Sequence, residues 1–368
     1  MGKRFLLIAL ILALAVLGGT AKVLQTSEPQ TEGPAQTGDR AEPASADDPA
    51  EADENAPQYY TLSFIGDCTL ASVPYYRNSP VGFEAVVGKN YDYPFAQTVQ
   101  FFEDDDLTFA NLECALTDSN QAAEKTFLFK APQDYAKIMS SGSVEFVSLA
   151  NNHVMDYGQQ GYDDTLAALE AEGIDWIGRD EWQVYELPGG LRLGVYSEFY
   201  DHVDEVRTQV SQLRHTDADF VIAAFHWGQE GQYQPNSDQI EKAHTAIDCG
   251  ADFVYGSHPH TVQPIEIYKG VPIYYSFGNW IFGGNTNPSD TDTFFLRMTL
   301  ALYPEDRHVE IVSLENVPCA FSGTAGSNNY QPVALEEGSE AYERVLSKLG
   351  GDFSGANLTI SYGLGKDD

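Results

Sequence analysis

Five hydrophobic runs along this chain, residues 60–65, 107–110, 144–149, 220–225 and 252–255, each lead within a few positions into Asp, Glu, Asn or His. That recurrence constrains the fold more than any other feature. Runs this short, bounded by Gly and polar residues, have the length and β-branched or aromatic content of strands. Tyr60-Thr61-Leu62-Ser63-Phe64-Ile65 alternates as a half-buried strand does. In open α/β sheets, loops converge outside the carboxyl ends of the strands, so polar residues repeated at that end of each strand read as one site.

The segments between the runs fit an α/β alternation. Residues 161–172 place Leu166 and Leu169 at helical spacing, and Gly173 closes the helix. Residues 174–177 and 191–196 read as further strands. Ser237 is expected to cap a helix running through Ala246, with Gly250 closing it. Residues 265–268 and 271–275 flank Lys269-Gly270 as a hairpin, and residues 294–303 and 308–314 are expected to pair antiparallel.

The strand-end residues are chemically selective. Asp67 and Glu113 offer carboxylates, Asn152 an amide, and His153, His226, His258 and His260 imidazoles. That mixture suits Zn, Mn or Fe better than Ca. Any one histidine alone reads as a packed or surface residue. His258-Pro259-His260 is more pointed, because two imidazoles beyond a strand end address one centre or two adjacent ones while Pro259 restricts the backbone between them. His202, His215, His244 and His308 read as structural or surface residues.

Composition limits the partners. Of 368 residues, 55 are Asp or Glu and 20 are Lys or Arg, a formal net charge of −35. Such a surface repels phosphate backbones and excludes a nucleic-acid reader. It also requires a cation wherever an anionic polymer is to dock. Lys3 and Arg4 precede an apolar run from Phe5 to Leu17, so residues 1–21 are expected to be a signal peptide or an uncleaved signal anchor. Residues 22–57 are rich in Glu, Asp, Ala and Pro and are expected to form a disordered acidic tether, placing the folded part outside the cytoplasm. A domain is expected over residues 58–320, with 321–368 as an extension packing on it or trailing from it. Cys68, Cys114, Cys249 and Cys319 form no C-x-x-C pair, which argues against a zinc ribbon. Cys68 and Cys114 each follow a proposed carboxylate ligand, so they are expected to lie close together, near enough that a disulfide is open to them.

The segments Phe64-Ile65-Gly66-Asp67, Asn111-Leu112-Glu113, Ala150-Asn151-Asn152-His153 with Asp156 and Gly158, His226-Trp227-Gly228 with Glu230, Gly256-Ser257-His258-Pro259-His260 and Tyr275-Ser276-Phe277-Gly278-Asn279 occur in that order. The series resembles the capsule synthesis protein CapA family, associated with poly-γ-glutamate capsules, from about residue 59 to residue 282. That family in turn resembles the calcineurin-like metallophosphoesterases.

The resemblance implies a four-layer α/β/β/α sandwich with a dinuclear metal centre. It makes Asp67 the first metal aspartate and Glu113 the bridging carboxylate. Asn152, His226 and His258 join Glu113 at one position, and Asp67 and His260 join it at the other. His153 lies beside the leaving group, with Asp67 and His153 as the catalytic pair. Trp227, Glu230 and Asn279 are expected at the substrate rim. Two departures stand out, since Thr69 occupies the place of a second histidine and Glu113 that of an aspartate. One tight and one weaker divalent site (Mn, Zn or Fe) are therefore expected.

The function implied is capsule polymer biosynthesis at the envelope, with metal-dependent hydrolysis of a phosphoester or γ-glutamyl substrate and with membrane synthetase partners. A non-enzymatic component that holds polymer or partner proteins, and a secreted phosphoesterase with no capsule role, stay open beside it.

Overall fold

The computed structural model describes residues 55–199 and 202–353. The leader expected over residues 1–21, and the tether as far as residue 54, lie outside the described residues. Among the described residues no helix is long and apolar enough to cross a membrane.

In chain order the strands are β1 (Gln58–Thr69), β2 (Leu107–Leu112), β3 (Ala115–Leu116), β4 (Lys130–Ala131), β5 (Phe146–Ser148), β6 (Asp175–Ile177), β7 (Glu181–Glu186), β8 (Arg192–Phe199), β9 (Phe220–His226), β10 (Phe253–Ser257), β11 (Ile265–Tyr268), β12 (Val271–Tyr274), β13 (Asn279–Phe282), β14 (Asp292–Leu302), β15 (Val309–Ala320) and β16 (Val333–Ala334). The helices are α1 (Phe83–Val87), α2 (Ala136–Ser141), α3 (Gly158–Ala171), α4 (Val203–Arg214), α5 (Ser237–Asp248) and α6 (Glu340–Leu349). One sheet runs β16-β15-β14-β1-β2-β5-β6, with β13 also pairing β1, and the other runs β11-β12-β10-β9-β8-β7. In the first sheet β1, β2, β5 and β6 are parallel, and in the second β8, β9, β10 and β12 are parallel.

The pleat sorts side chains into layers. Phe64, Phe109 and Phe146 point into a core between the sheets, where Ile222, Ala224, Phe253 and Tyr255 meet them from the second sheet. Their chain neighbours Ile65, Ala110 and Val147 face the opposite way, onto Ile138 and Met139 of α2 and Leu169 of α3. Val221, Ala223 and Phe225 likewise face outward onto α4 and α5, through Val206, Val210, Leu213, Ala243 and Ala246. Period-2 alternation across two covered sheets thus produces the four layers α/β/β/α that the family resemblance implies. Because both faces are covered, β9 is buried at every residue.

The expected elements are present with shifted limits. Parallel pairing extends β1 through Thr69 and β2 through Leu112, so the strands run right up to the site residues. The cap of α5 is Asn236, not Ser237. Asn236 accepts from the Gln239 backbone, and the Gln239 side chain accepts from the Asn236 backbone in return. The hairpin β11–β12 turns through Lys269 and Gly270 at φ 51° and 89°, the mirror-image turn that fits strand twist. Cys68 and Cys114 are both buried free thiols. They lie on neighbouring strand ends, since the Glu113 amide donates to the Cys68 carbonyl at 2.9 Å.

Candidate metal centre

The two sheets contribute different chemistry to one place. Carboxylates and amides come from the first: Asp67 on β1, Asn111 on β2, Glu113 just beyond it, and Asn151 and Asn152 after β5. Imidazoles come from the second: His226 closes β9, and His258 and His260 follow β10. Asp67 is joined across the interface by the His258 amide at 3.3 Å and by His260 Nδ1 at 3.2 Å. His258 and His260 hold left-handed backbones, with φ 92° and 56°. A non-glycine residue adopts that conformation only when its surroundings over-determine it, and such positions cluster at functional sites.

Glu113 is the hub. His226 Nε2 lies 3.4 Å and His260 Nε2 3.8 Å from its Oε1. Two sets of potential ligand atoms each fit within 4.8 Å, Asp67 with Glu113 and His226, and Glu113 with His258 and His260. Both share Glu113, as a bridging carboxylate would, but they divide the imidazoles differently from the pattern the resemblance implies. Asn152 Oδ1 adds a further oxygen 3.0 Å from His226 Nε2.

Buried polar groups are nearly always satisfied. Here both carboxylate oxygens of Glu113, Nδ1 of His258 and Oγ1 of Thr69 are buried without a hydrogen-bond partner. His226 shows the same demand. Its Nδ1 lies 3.0 Å from Ser257 Oγ, whose own proton is directed at the Phe225 carbonyl. Asn111 Nδ2 also lies 3.3 Å from Nδ1, so the tautomer in which Nδ1 donates to Ser257 is the one that leaves an Nε2 lone pair facing Asn152 Oδ1 and Glu113 Oε1, as a metal ligand requires. Electron-rich atoms converging on one point are what a bound cation satisfies. The residues fit a metal ion.

The electrostatics agree. Burial drives His226 down to about 3, and burial with neighbouring imidazoles holds His258 well below its ordinary value. Both are therefore neutral, as a ligand must be. Burial acts to lower His260, but Glu113 and Asp67 override it and raise it to about 10. Burial pushes Glu113 up to about 8. Burial alone would raise Asp67, yet His260, His226 and the Asn111 amide hold it below the carboxylate range. Protons that these shifts favour on His260 and Glu113 would have to leave for those atoms to bind a metal.

His153 lies at the edge of this cluster. Its Nδ1 is 2.7 Å from Asp156 Oδ2, which also accepts from the Phe129 amide at 2.7 Å, while Lys125 binds Asp156 Oδ1 at 3.0 Å. Phe129 stands edge-on to the imidazole with ring centroids 4.7 Å apart. The ring is thus fixed through Nδ1, leaving Nε2 for chemistry.

Three expected rim residues behave differently. Trp227 is not at the rim. It is buried, stacked on Phe225 at 4.4 Å, and donates to the Tyr275 carbonyl at 2.9 Å. Its indole packs beneath α4 and α5 because the residue after β9 continues the outward-facing side of the strand. Asn279 is buried too, with Oδ1 2.9 Å from His260 Nδ1, so it orients an imidazole. Glu230 is half-buried on the loop after β9.

His202, His215, His244 and His308 lie at helix ends, on a helix flank or in an exposed turn. Sequence reasoning assigned no role to Asn111, Asn151, Asp156 or Ser257. Asn111 donates to Asp67 at 2.8 Å and accepts from Asn151 at 3.0 Å. Each lies within three residues of a recognised ligand or of His153, which was the available signal.

The family described as bacterial capsule synthesis protein PGA_cap matches residues 61–185 and 179–284. The capsule biosynthesis protein CapA of Bacillus anthracis is 29% identical over 221 residues, 52% of this chain and 54% of that protein. The PGA biosynthesis protein CapA of Bacillus subtilis is 28% identical over 53% of this chain and 58% of that protein. A probable polyglutamine synthesis accessory protein of Mycobacterium tuberculosis is 27% identical over 52% of this chain and 60% of that protein. The chain thus spans little more than half the length of the curated relatives it matches. Among solved structures, a novel phosphatase of Mycoplasma pneumoniae gives a TM-score of 0.43 at 11% identity, over 71% of this chain and 94% of that one.

Proposed function

This chain belongs to the bacterial capsule synthesis protein PGA_cap family, and on that premise we propose that it is a metal-dependent hydrolase acting outside the cytoplasm in biosynthesis of poly-γ-glutamate or a related capsule polymer. The observation that carries the metal reading is Glu113, whose two buried oxygens have no hydrogen-bond partner although Asp67, His226, His258 and His260 surround them. Asp67, Glu113, Asn152, His226, His258 and His260 would hold one tight and one weaker Mn, Zn or Fe ion. Such an ion supplies Lewis acidity and a water-derived nucleophile near neutral pH.

The chain's own residues do the rest. Asp156 fixes His153 through Nδ1 and would stabilise its imidazolium form, in which Nε2 is the proton donor to the departing group. Lys125 holds Asp156 and the Asn152 carbonyl, at 3.0 and 2.6 Å, and so ties the donor to a ligand. Phe129 shields the donor from water. Two substrate classes fit such a site, a γ-glutamyl amide of the polymer and a small phosphoester.

The relatives' names, which speak of capsule, PGA and polyglutamine synthesis, support the polymer role, and with it synthetase partners in the membrane. The apolar run from Phe5 to Leu17 supports the location. A second reading, a non-enzymatic envelope component that holds polymer through a cation, is favoured by Thr69, a weak donor where a second imidazole is expected.

Metal analysis of the purified protein followed by a screen on phosphoester and γ-glutamyl substrates separates the readings. Turnover that requires metal and His153 supports the hydrolase. Metal bound without turnover of either class supports the holding role. A folded protein that takes up no transition metal sinks both.

A further inference from the structure

The matched family region ends at residue 284, yet the chain continues through a buried ion cluster that reaches back to the site. Lys348 on α6 has a side chain only 1% exposed, and its Nζ lies 2.5 Å from Asp290 and 2.7 Å from Asp292. Arg344, one turn earlier, binds Asp292 through two parallel bonds of 2.7 and 2.6 Å. Two cations meet two carboxylates, so the cluster is neutral. Asp290 also accepts from the Tyr233 hydroxyl at 2.5 Å, and Lys348 stands 4.9 Å from the centre of the same ring. Tyr233 belongs to the loop after β9, the loop that carries Glu230.

That loop grips the histidine turn. The Gly231 amide donates to the carbonyl of Pro259, the residue between His258 and His260, at 2.9 Å. The Gln232 carbonyl accepts from Thr261 Oγ1 at 2.8 Å and from Gln263 Nε2 at 2.9 Å. Both histidines hold left-handed backbones. Three bonds from one loop therefore help to enforce a strained turn, and the loop itself is anchored through Tyr233 to α6.

We propose that Tyr233 and Lys348 are positioning residues, and that the C-terminal helix holds His258 and His260 in their ligand geometry through the loop at 229–233. The helix then belongs to the functional site although it contributes no ligand. The consequence for affinity rests on the metal reading above, whereas the mechanical coupling does not.

The test uses the full chain with Tyr233→Phe, which removes one hydroxyl, and Lys348→Met, which removes the buried cation. Mn²⁺ titration calorimetry and amide hydrogen exchange are the two readouts. Each variant is expected to weaken Mn²⁺ binding about tenfold, the usual scale for loss of an orienting contact. Exchange should accelerate at 229–233 and 258–263, including the Gly231 amide, while β8 and β9 keep their protection. Folded Tyr233→Phe protein with wild-type affinity and wild-type exchange overturns the proposal, as does acceleration spread evenly over the molecule. If the wild-type protein binds no Mn²⁺, Zn²⁺ or Fe²⁺, the metal reading fails and the exchange pattern alone decides the coupling.

Discussion

The parallel strands β1, β2 and β5 have acids at both ends, exposed or half-buried at one and fully buried at the other, and the two ends behave differently. At the amino-terminal end, Asp106 accepts from the Thr61 amide at 2.7 Å and Glu145 from the Thr108 amide at 2.8 Å. Asp105 there accepts from Thr108 Oγ1 at 2.9 Å. Asp106 and Glu145 thus cap backbone N–H groups that the start of a parallel strand leaves unpaired, and Asp105 holds a side-chain hydroxyl beside them. At the carboxyl-terminal end the free backbone groups include carbonyls, which cannot donate to an acid. Glu113 therefore has no cap and looks toward the imidazoles of the other sheet. Burial alone does not separate the two ends, since it raises Glu145 to about 7, Asp105 to about 6 and Glu113 to about 8. What distinguishes a site from a structural cap is the partner set.

The largest expected contrast comes from His258→Ala with His260→Ala. Metal affinity should fall by more than about 100-fold, since two ligands go at once, with modest loss of fold. Elemental analysis showing full metal content in the folded double variant would remove the carboxyl-end site from the comparison.

Next in size is the pH dependence of binding. The protons on Glu113 and His260 must leave as a metal enters, so affinity should rise with pH up to about 8 on account of both and from there to about 10 on account of His260 alone, roughly tenfold per pH unit for each proton displaced. Glu113→Gln should weaken binding and flatten that slope by one proton. Calorimetry in two buffers of different ionisation enthalpy counts the protons directly, and a pH-independent affinity would contradict the assignment.

Glu145→Gln probes the other end. Burial raises Glu145 from 4.5 to about 7, so the folded state binds the extra proton in that interval. Its contribution to stability therefore falls as pH rises through the window and stays low above it. The amide removes that loss, and the Thr108 amide keeps an oxygen to donate to. The variant should be more stable at about pH 8 by on the order of 1 kcal/mol, with metal affinity unchanged. Urea melts at two pH values check the first part, and a parallel metal titration checks the second.

The smallest effect is expected from Thr69→His. The wild type should titrate as one tight and one weak site. The new imidazole should tighten the weak one a few-fold, at a stability cost of about 1–3 kcal/mol because Thr69 is fully buried. Two equally tight sites in the wild type would show that Thr69 leaves no deficit.

Much of this was legible beforehand, for local reasons. A strand's alternation and the residue at its end are written in consecutive positions, so β1, β2, β5, β9 and β10 and their terminal Asp67, Glu113, Asn152, His226, His258 and His260 could be read directly. The short strands β3, β4 and β16 could not, because two residues carry no period. The expected cap Ser237 gives way to Asn236, its neighbour and an equally good capping type. Only the reciprocal bonds with Gln239 decide between them.

The sequence by itself therefore determined the α/β class, the end of the sheets at which chemistry collects, and the residue types collected there, while the four-layer arrangement came from the family resemblance. Which of those residues face one another was settled only in three dimensions. The Tyr255 hydroxyl reaches the Ile65 carbonyl across 190 positions of chain, and such contacts bring the imidazole-bearing sheet against the carboxylate-bearing one. That packing turned Trp227 inward, made Asn279 an orienter of His260, and joined Lys348 to Tyr233. Partnership depends on the summed packing of both sheets, so no local pattern encodes it.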